Sequence, residues 1–349
     1  MDNIYAEAHD RVYDRAMAPD VIRVEKLPQP HEIPDNREWT SGWMDGGQTH
    51  LTLVRGSHVR RYRVFENGHP KVAQTEIARV MLEIIMEGGT GRNTRAFLSR
   101  GAGEWERRWG GVTAAEYVRK GTYEDMAYID ISRAHHNIGK YASLLTTVWP
   151  VAHSVSPHFM LYRMMELDDC PEEYLPQIKF ACNAMYGFCI NERFRPTMGY
   201  GYINEQWADK MFGNPDFRPG TPNKYYSPGL TGWLRQALHS IASEALDRGA
   251  VYVKTDGYFM PASQKEGFLD YLHAEWALDA AVKRTGVAHV FGLGWHQIDG
   301  EVTGNLVNSQ GEIPDMDDVD KVVYINQEER KGYAEQRRAM IARYMAHTK

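Results

Sequence analysis

With 349 residues and 43% hydrophobic content, the chain can bury one large core or two to three smaller ones, which excludes disorder as the default. A net charge of −6 excludes a global attraction to nucleic acid, so any such binding needs a local basic surface. Three cysteines (Cys170, Cys182, Cys189) with no Cys-x-x-Cys pair exclude a disulfide framework and a cysteine zinc site, and fit a reducing cytoplasm. The polar, acidic N-terminus does not read as a signal peptide, and no apolar run reaches the ~20 residues of a membrane span.

Residues 1–48, rich in proline and charge, read as an irregular lead-in. The alternating run THLTLVRGSHVRRYRVFE over residues 49–66 predicts a hairpin turning at Arg55-Gly56-Ser57. Ile77, Val80, Met81, Ile84 and Ile85 follow helical spacing within a helix over 75–87, which Gly88-Gly89 stops. Residues 94–109 and 140–149 also look helical. Residues 176–190 carry a core stripe (Ile178, Cys182, Met185, Cys189) and a polar stripe (Lys179, Asn183, Tyr186). A proline- and glycine-rich loop over 213–229 precedes a helix from Thr231 to about Leu246, with Gly249 placed to end it. A helix over 264–285, a strand or hairpin over 292–301 and a closing helix over 327–346 complete the chain.

Two short runs organise this pattern. In MAYIDIS (126–132), Ala127, Ile129 and Ile131 face a core while Tyr128 and Asp130 face away. In VYVKTD (251–256), Val251, Val253 and Thr255 face in, while Tyr252, Lys254 and Asp256 face out. Two strands of one sheet, each presenting an acid, can hold divalent metal between them.

In this order the parts resemble the polymerase motifs of family B DNA polymerases, most closely the protein-primed phage and plasmid branch, over roughly residues 112–300. YIDISRAHHNI (128–138) looks like the first motif, KFACNAMYG (179–187) like the second and VYVKTDGY (251–258) like the third; SPGLTGWLRQAL (227–238) matches the proline-led helix between them. The resemblance implies an α+β fold: a polymerase palm, an antiparallel sheet with packed helices, carrying short helical fingers and a small thumb. The expected parts are an N-terminal region (1–110), palm (111–150 and 191–300), fingers (151–190) and thumb (301–349). It implies template-directed nucleotidyl transfer at Asp130 and Asp256, with Mg²⁺ or Mn²⁺ held by Asp130, the Ile131 carbonyl and Asp256. Ser132, Arg133, His135, Lys179, Asn183 and Tyr186 would bind the nucleotide. Tyr117, Arg235, Lys254, Lys331 and Tyr333 would bind nucleic acid. Implied partners are a DNA primer-template and dNTPs, with a priming protein or other replication proteins left open, and no membrane. Basic segments at 55–63, 92–108 and 337–343 would track phosphates.

The chain departs from the pattern in several places. His135 stands where the family has an aromatic that excludes ribonucleotides, which opens primase, terminal-transferase or ribonucleotide-polymerase chemistry on the same palm. Lys254 replaces the first acid of the third motif and Gly257 its serine, which opens a catalytically silent scaffold or nucleic-acid-binding protein. The template-binding Tyr-x-Gly-Gly turn is only echoed at Tyr117–Gly121, and the thumb's Lys-x-Tyr has its literal match at Lys331–Tyr333, with Lys321–Tyr324 (KVVY) as a rival. No Asp-x-Glu strand of a proofreading exonuclease precedes Asp130, so proofreading is not expected.

Overall fold

The computed structural model describes residues 4–28, 32, 41–45, 50–55, 57–88, 114–139, 141, 193–194, 221–222, 228–304, 311–312 and 316–347. The chain divides into two compact units, Met1–Leu98 with Val151–Tyr226, and Ser99–Pro150 with Ser227–Lys349. The predicted helices over 94–109, 140–149 and 176–190, and the fingers segment, lie outside the described residues.

The first unit opens with a helix, α1 (Ile4–Met17), where the sequence suggests an irregular lead-in. Its buried stripe is Tyr5, Ala8, Val12 and Ala16. The stripe has helical spacing, and the prolines that mark the segment as irregular (Pro28, Pro30, Pro34) all lie beyond the end of the helix. The strands are β1 (Val21–Val24), β2 (Ser41–Asp45), β3 (His50–Arg55), β4 (His58–Glu66) and β5 (His69–Pro70), followed by α2 (Gln74–Gly88). Strand order is β1-β4-β3-β2, with β5 on β4; β1 runs parallel to β4, and β2, β3 and β5 pair antiparallel. The hairpin over 49–66 and the helix over 75–87 are as the patterning predicts. Ile77, Ala78, Val80 and Met81 of α2 are buried, and Tyr5 donates to Gln74 at 3.3 Å.

The second unit is built on one eight-stranded antiparallel sheet with packed helices, a mixed α+β arrangement. Its elements are β6 (Glu116–Val118), β7 (Gly121–Ile131), α3 (Ala134–Gly139), α4 (Pro228–Asp247), β10 (Tyr252–Lys254) and β11 (Gly257–Pro261); β8 (Arg193–Phe194) and β9 (Thr221–Pro222), which fall between α3 and α4 in sequence, form a separate pair that belongs to the first unit. Then follow α5 (Lys265–Trp276), β12 (Ala280–Gly292), β13 (Trp295–Ile298), β14 (Glu301–Thr303), β15 (Val319–Asp320) and α6 (Gln327–His347). The sheet order is β14-β13-β12-β7-β11-β10-β6-β15.

One face of the sheet is the helix side. Ala127, Ile129, Ile131, Val253, Tyr258 and Met260 are all buried there, and Tyr258 meets Phe268 of α5 edge-on at 5.3 Å. Trp233 of α4 packs beside Trp276 of α5 and donates to the Ile138 carbonyl at 3.0 Å. Helix α4 is buried on nearly all sides, so its polar residues must find partners. Ser240 and Ser243 donate back to the Gln236 and His239 carbonyls, and the strap before α6 donates from Val323 to His239 and from Ile325 to Ser243. Gly249, at φ +85°, ends α4 in a Schellman motif: its amide bonds Leu246 and that of Ala250 bonds Ala245.

The helix predicted over 264–285 stops at Trp276. Ala277 takes the left-handed conformation (φ 49°), and its amide returns to His273. The usual glycine at such a cap is absent, so the sequence shows no stop, and the alanine-rich start of β12 reads as more helix. The opposite face of the sheet has its own core of Val118, Met126, Tyr252, Phe259, Ala288, Val290 and Ile298. Among the described residues no helix is long and apolar enough to cross a membrane.

Candidate active site

Strands β10 and β11 form a hairpin in which Lys254 pairs with Gly257, leaving Thr255 and Asp256 as its turn. The sequence pattern carries the strand through Asp256; the strand in fact ends at Lys254, and the acid is delivered by a tight turn. Thr255 sits at φ 59°, and the Asp256 amide donates to the Lys254 carbonyl at 2.7 Å. A β-branched residue in that region is strained, and such a conformation persists only where its surroundings fix it. Here Thr255 N–H bonds Ala115 at 2.8 Å, and Ile131 N–H bonds the Asp256 carbonyl at 3.0 Å.

Asp130, the penultimate residue of β7, is the register partner of Gly257, which places it beside that turn. Burial pushes the Asp256 carboxyl up to about 6, and the negative charge of Asp130 pushes in the same direction, with Lys254 opposing. Lys283 Nζ lies 3.6 Å from Asp130 Oδ2. Sequence reasoning missed Lys283. Its neighbour Ala281 pairs with Asp130, and a bulge between Val282 and Arg284 re-aims the strand there. A bulge of this kind leaves no residue signature.

Tyr128 shares the Asp130 face. Burial raises its phenol, and Asp130 and Asp256 add to the effect. It packs edge-on against Phe259 at 4.8 Å. A β-carbon at Gly257 would stand 3.1 Å from the Tyr128 hydroxyl, so the absent side chain gives the tyrosine its place. Lys254 is exposed and pairs with both Gly257 and Glu116 on the same face. Gly294, at φ +75°, lies under it, with a notional β-carbon 3.0 Å from Lys254 Nζ, and its amide donates to Tyr252 Oη at 3.1 Å. Beneath these, His296 is 3% exposed among Tyr128, Tyr252 and Phe259, and burial pushes it down to about 4, with Lys254 adding to the effect.

The residues after Asp130 form the turn into α3. Ile131 is buried. Ser132 N–H bonds Asp279 at 2.8 Å, and its carbonyl accepts from Asn137 Nδ2 at 2.7 Å. Arg133 is exposed at φ 49°; His135 is half-buried, and burial lowers its pKa. Lys179, Asn183 and Tyr186 lie outside the described residues.

The remaining predicted residues are not brought to the Asp130 face. Tyr117 pairs with Val253, which belongs to the helix side, and accepts from Arg119 Nε at 2.8 Å. Arg235 is half-buried on α4. On α6, which packs against α4 and α5, Lys331 is exposed and Tyr333 is buried. Two of the expected phosphate-tracking segments are internal in part. Arg63 is 4% exposed and bidentate to Glu76, and Arg337 is 1% exposed and donates to the carbonyls of Asn137, Ile138 and Trp276. Both arginines bury because each finds acceptors inside the fold, which spacing along the chain does not reveal. Residues 92–108 lie outside the described residues.

Among the described residues no group of three or more His, Cys, Asp or Glu is placed to hold a metal ion. Two adjacent carboxylates, one raised by burial and by the other's charge, still suit a hard cation whose other ligands are carbonyl, water or phosphate oxygens.

No protein-family profile matches the chain, and no curated protein matches it. Among solved structures, the chain is similar to the family B DNA polymerase from the hyperthermophilic archaeon Pyrobaculum calidifontis, with a TM-score of 0.36 and 15% identity, over 79% of this chain and 39% of that one. The chain thus spans well under two thirds of that polymerase's length.

Proposed function

We propose that the chain is a template-directed nucleotidyltransferase of the family B DNA polymerase type, acting at Asp130 and Asp256. The observation that carries this reading is the β7–β11 register, which sets two acids far apart in sequence side by side at the end of one sheet face. Asp130, Asp256 and the Ile131 carbonyl are the residues that would hold Mg²⁺ or Mn²⁺. Bound divalent ions there would supply charge neutralisation for a primer hydroxyl and a departing pyrophosphate. The protein's own contribution is positioning and electrostatics, which is most of what phosphoryl transfer asks of it. Lys254 and Lys283 place positive charge on the same face, where substrate phosphates would lie. Lys179 would meet the triphosphate, Asn183 and Tyr186 the nascent base pair, His135 the sugar, and Ser132 and Arg133 the phosphates. Tyr117, Arg235, Lys331 and Tyr333 would serve the primer-template, of which Tyr333 would act through packing.

The finer assignments (the protein-primed branch, dNTPs as substrates, a priming protein as partner, work in the cytoplasm and no proofreading) rest on the sequence pattern. A second reading, a nucleic-acid-binding protein without catalysis, is favoured by one contact: the Lys283 ammonium stands 3.6 Å from Asp130 Oδ2, where a metal ion would have to compete with it.

Primer extension tests the two. The protein is given primed template, unprimed template or single strand, with dNTPs or rNTPs and Mg²⁺ or Mn²⁺. Templated dNTP extension, lost by about 10²–10³-fold in Asp130→Asn and Asp256→Asn, is the expected result. Either variant extending at the normal rate would sink the assignment. No incorporation in any condition, with strand binding intact, would establish the second reading.

A further inference from the structure

The first unit carries a cavity of about 490 Å³ between its sheet and its helices. The register pairs His50 with Arg63 and Thr52 with Arg61, and cross-strand partners share a face, so these four side chains occupy one side of β3 and β4. Arg15 at the end of α1, with Glu76 and Arg79 on α2, completes the polar wall. Four arginines therefore line the space with Glu76, and Glu83 (paired with Arg15 and Arg79) and Asp20 (paired with Arg61) flank it, which leaves an excess of one positive charge.

The inner wall is built. Arg63 donates both terminal nitrogens to Glu76, at 2.8 and 2.6 Å, and shares one with His50 Nδ1 at 2.6 Å. Burial pushes His50 down to about 4, so it lines the cavity neutral at physiological pH. Arg63 Nε is buried with no hydrogen-bond partner among the described residues, a donor that costs free energy until something accepts from it. At the mouth, Arg15 pairs with Glu83 and Arg61 with Asp20, but both arginines are about half exposed. Such surface pairs are weak and exchange readily for a stronger anion. Ala18, Val21 and Val59 give the remaining wall an apolar surface.

We propose that this cavity binds a nucleoside phosphate, its phosphate on Arg61 and Arg15 at the mouth and its base or sugar against the apolar wall. Guanidinium forks match phosphate oxygens in pairs, and the volume falls in the range of small-molecule sites, roughly 300–1,000 Å³. The site lies wholly within the first unit and does not rest on the reading of Asp130 and Asp256.

The test is calorimetric titration of the full chain in EDTA, so that metal-dependent binding elsewhere is silent. The probes are dATP, inorganic phosphate, and a short oligothymidylate with and without a 5′-phosphate. Two variants are compared: Arg61→Gln removes a mouth charge, and Ala18→Trp fills the cavity without changing charge. The expected result is dATP binding that weakens by about tenfold or more in each, with circular dichroism unchanged. Competition by the 5′-phosphorylated strand but not by its 5′-hydroxyl counterpart would keep the phosphate site and assign its ligand to a strand end. No binding of any phosphate probe, or binding that neither variant weakens, would overturn the proposal.

Discussion

The amide of Ile131 donates to the carbonyl of Asp256 at 3.0 Å, one residue beyond Asp130 on β7 and one before Gly257 on β11. This bond fixes where the two acids stand: shifting the ladder by one residue would turn Asp130 to the helix side. The position of the Asp256 carboxyl depends on a hydrogen-bonded backbone on both flanks and on little else, since the turn holding it contains a strained threonine. Such an arrangement keeps two like charges together, and the consequences can be measured.

The first consequence is a pH-dependent stability. Asp256 stands at about 6 in the fold against 3.8 unperturbed, from burial first and Asp130 second. A raised carboxyl binds its proton more tightly in the fold, so its contribution is full below 3.8 and is lost as pH rises through about 6. At neutral pH the ionised side chain weighs against the fold by roughly 3 kcal/mol. In metal-free buffer, Asp256→Asn is expected to unfold at higher urea than the unaltered protein at neutral pH, with no advantage at ~pH 3.5. Adding Mn²⁺ should raise the stability of the unaltered protein and leave the variant behind. An advantage that does not vary with pH would remove the mutual repulsion from the account.

A second prediction concerns the position next to that acid. At Gly257 a β-carbon would lie 3.1 Å from Tyr128 Oη and 3.2 Å from its Cε2. Tyr128 is pinned on its other side by Phe259 and His296, so it has little room to yield. Gly257→Ala is expected to cost about 1–2 kcal/mol in urea unfolding, the scale of local overpacking. Tyr128→Leu, which takes away the hydroxyl and ring edge, should make the same glycine substitution nearly neutral. Equal costs in both backgrounds would show that the glycine serves the backbone and not the tyrosine.

Much of this fold is legible in the residue pattern. The β3–β4 hairpin, α2, and α4 with Gly249 beyond it each carry periodicity together with a turn or stop signal. The strand that leads to Asp130 is legible as well, because Ala127, Ile129 and Ile131 alternate cleanly into a core, whereas the tight turn that delivers Asp256 reads as more strand. What is lost has specific causes. Helix α1 is masked by the proline- and charge-rich stretch that follows it. Helix α5 ends on a left-handed alanine in place of glycine. Lys283 reaches Asp130 only through a bulge, and Arg63 and Arg337 are charged residues that tertiary acceptors draw inside. Each of these is decided by a neighbour far away in sequence.

Arg337 gives a third prediction. Its guanidinium donates to Asn137 at 2.7 Å, to Ile138 at 3.1 Å and to the Trp276 carbonyl, closing the C-terminal ends of α3 and α5 from α6. Helix ends leave carbonyls that need such donors. Arg337→Met would take this donor from the Asn137 and Trp276 carbonyls and leave Ile138 with Trp233 alone, at a cost of about 3–5 kcal/mol. Arg338→Met, next in sequence but paired at the surface with Glu275, should cost under ~1 kcal/mol. If the two variants unfold at the same urea concentration, Arg337 does not hold the helix layer together.

Lys283 decides how the acids meet a cation. Its Nζ is 3.6 Å from Asp130 Oδ2, with half of its side chain in solvent, so the contact is a weak surface pair worth at most ~1 kcal/mol. A metal ion at Asp130 has to compete with that ammonium, and removing it should strengthen metal binding by the same amount. Lys283→Met is therefore expected to tighten Mn²⁺ binding by about two- to five-fold in calorimetry, while weakening triphosphate binding, for which the lysine supplies charge. Lys283→Arg keeps the charge and should keep the original metal affinity. If Lys283→Met weakens Mn²⁺, or leaves it unchanged while Asp130→Asn abolishes it, the lysine is a bystander, and the cation is held on the side of Asp130 that faces Asp256.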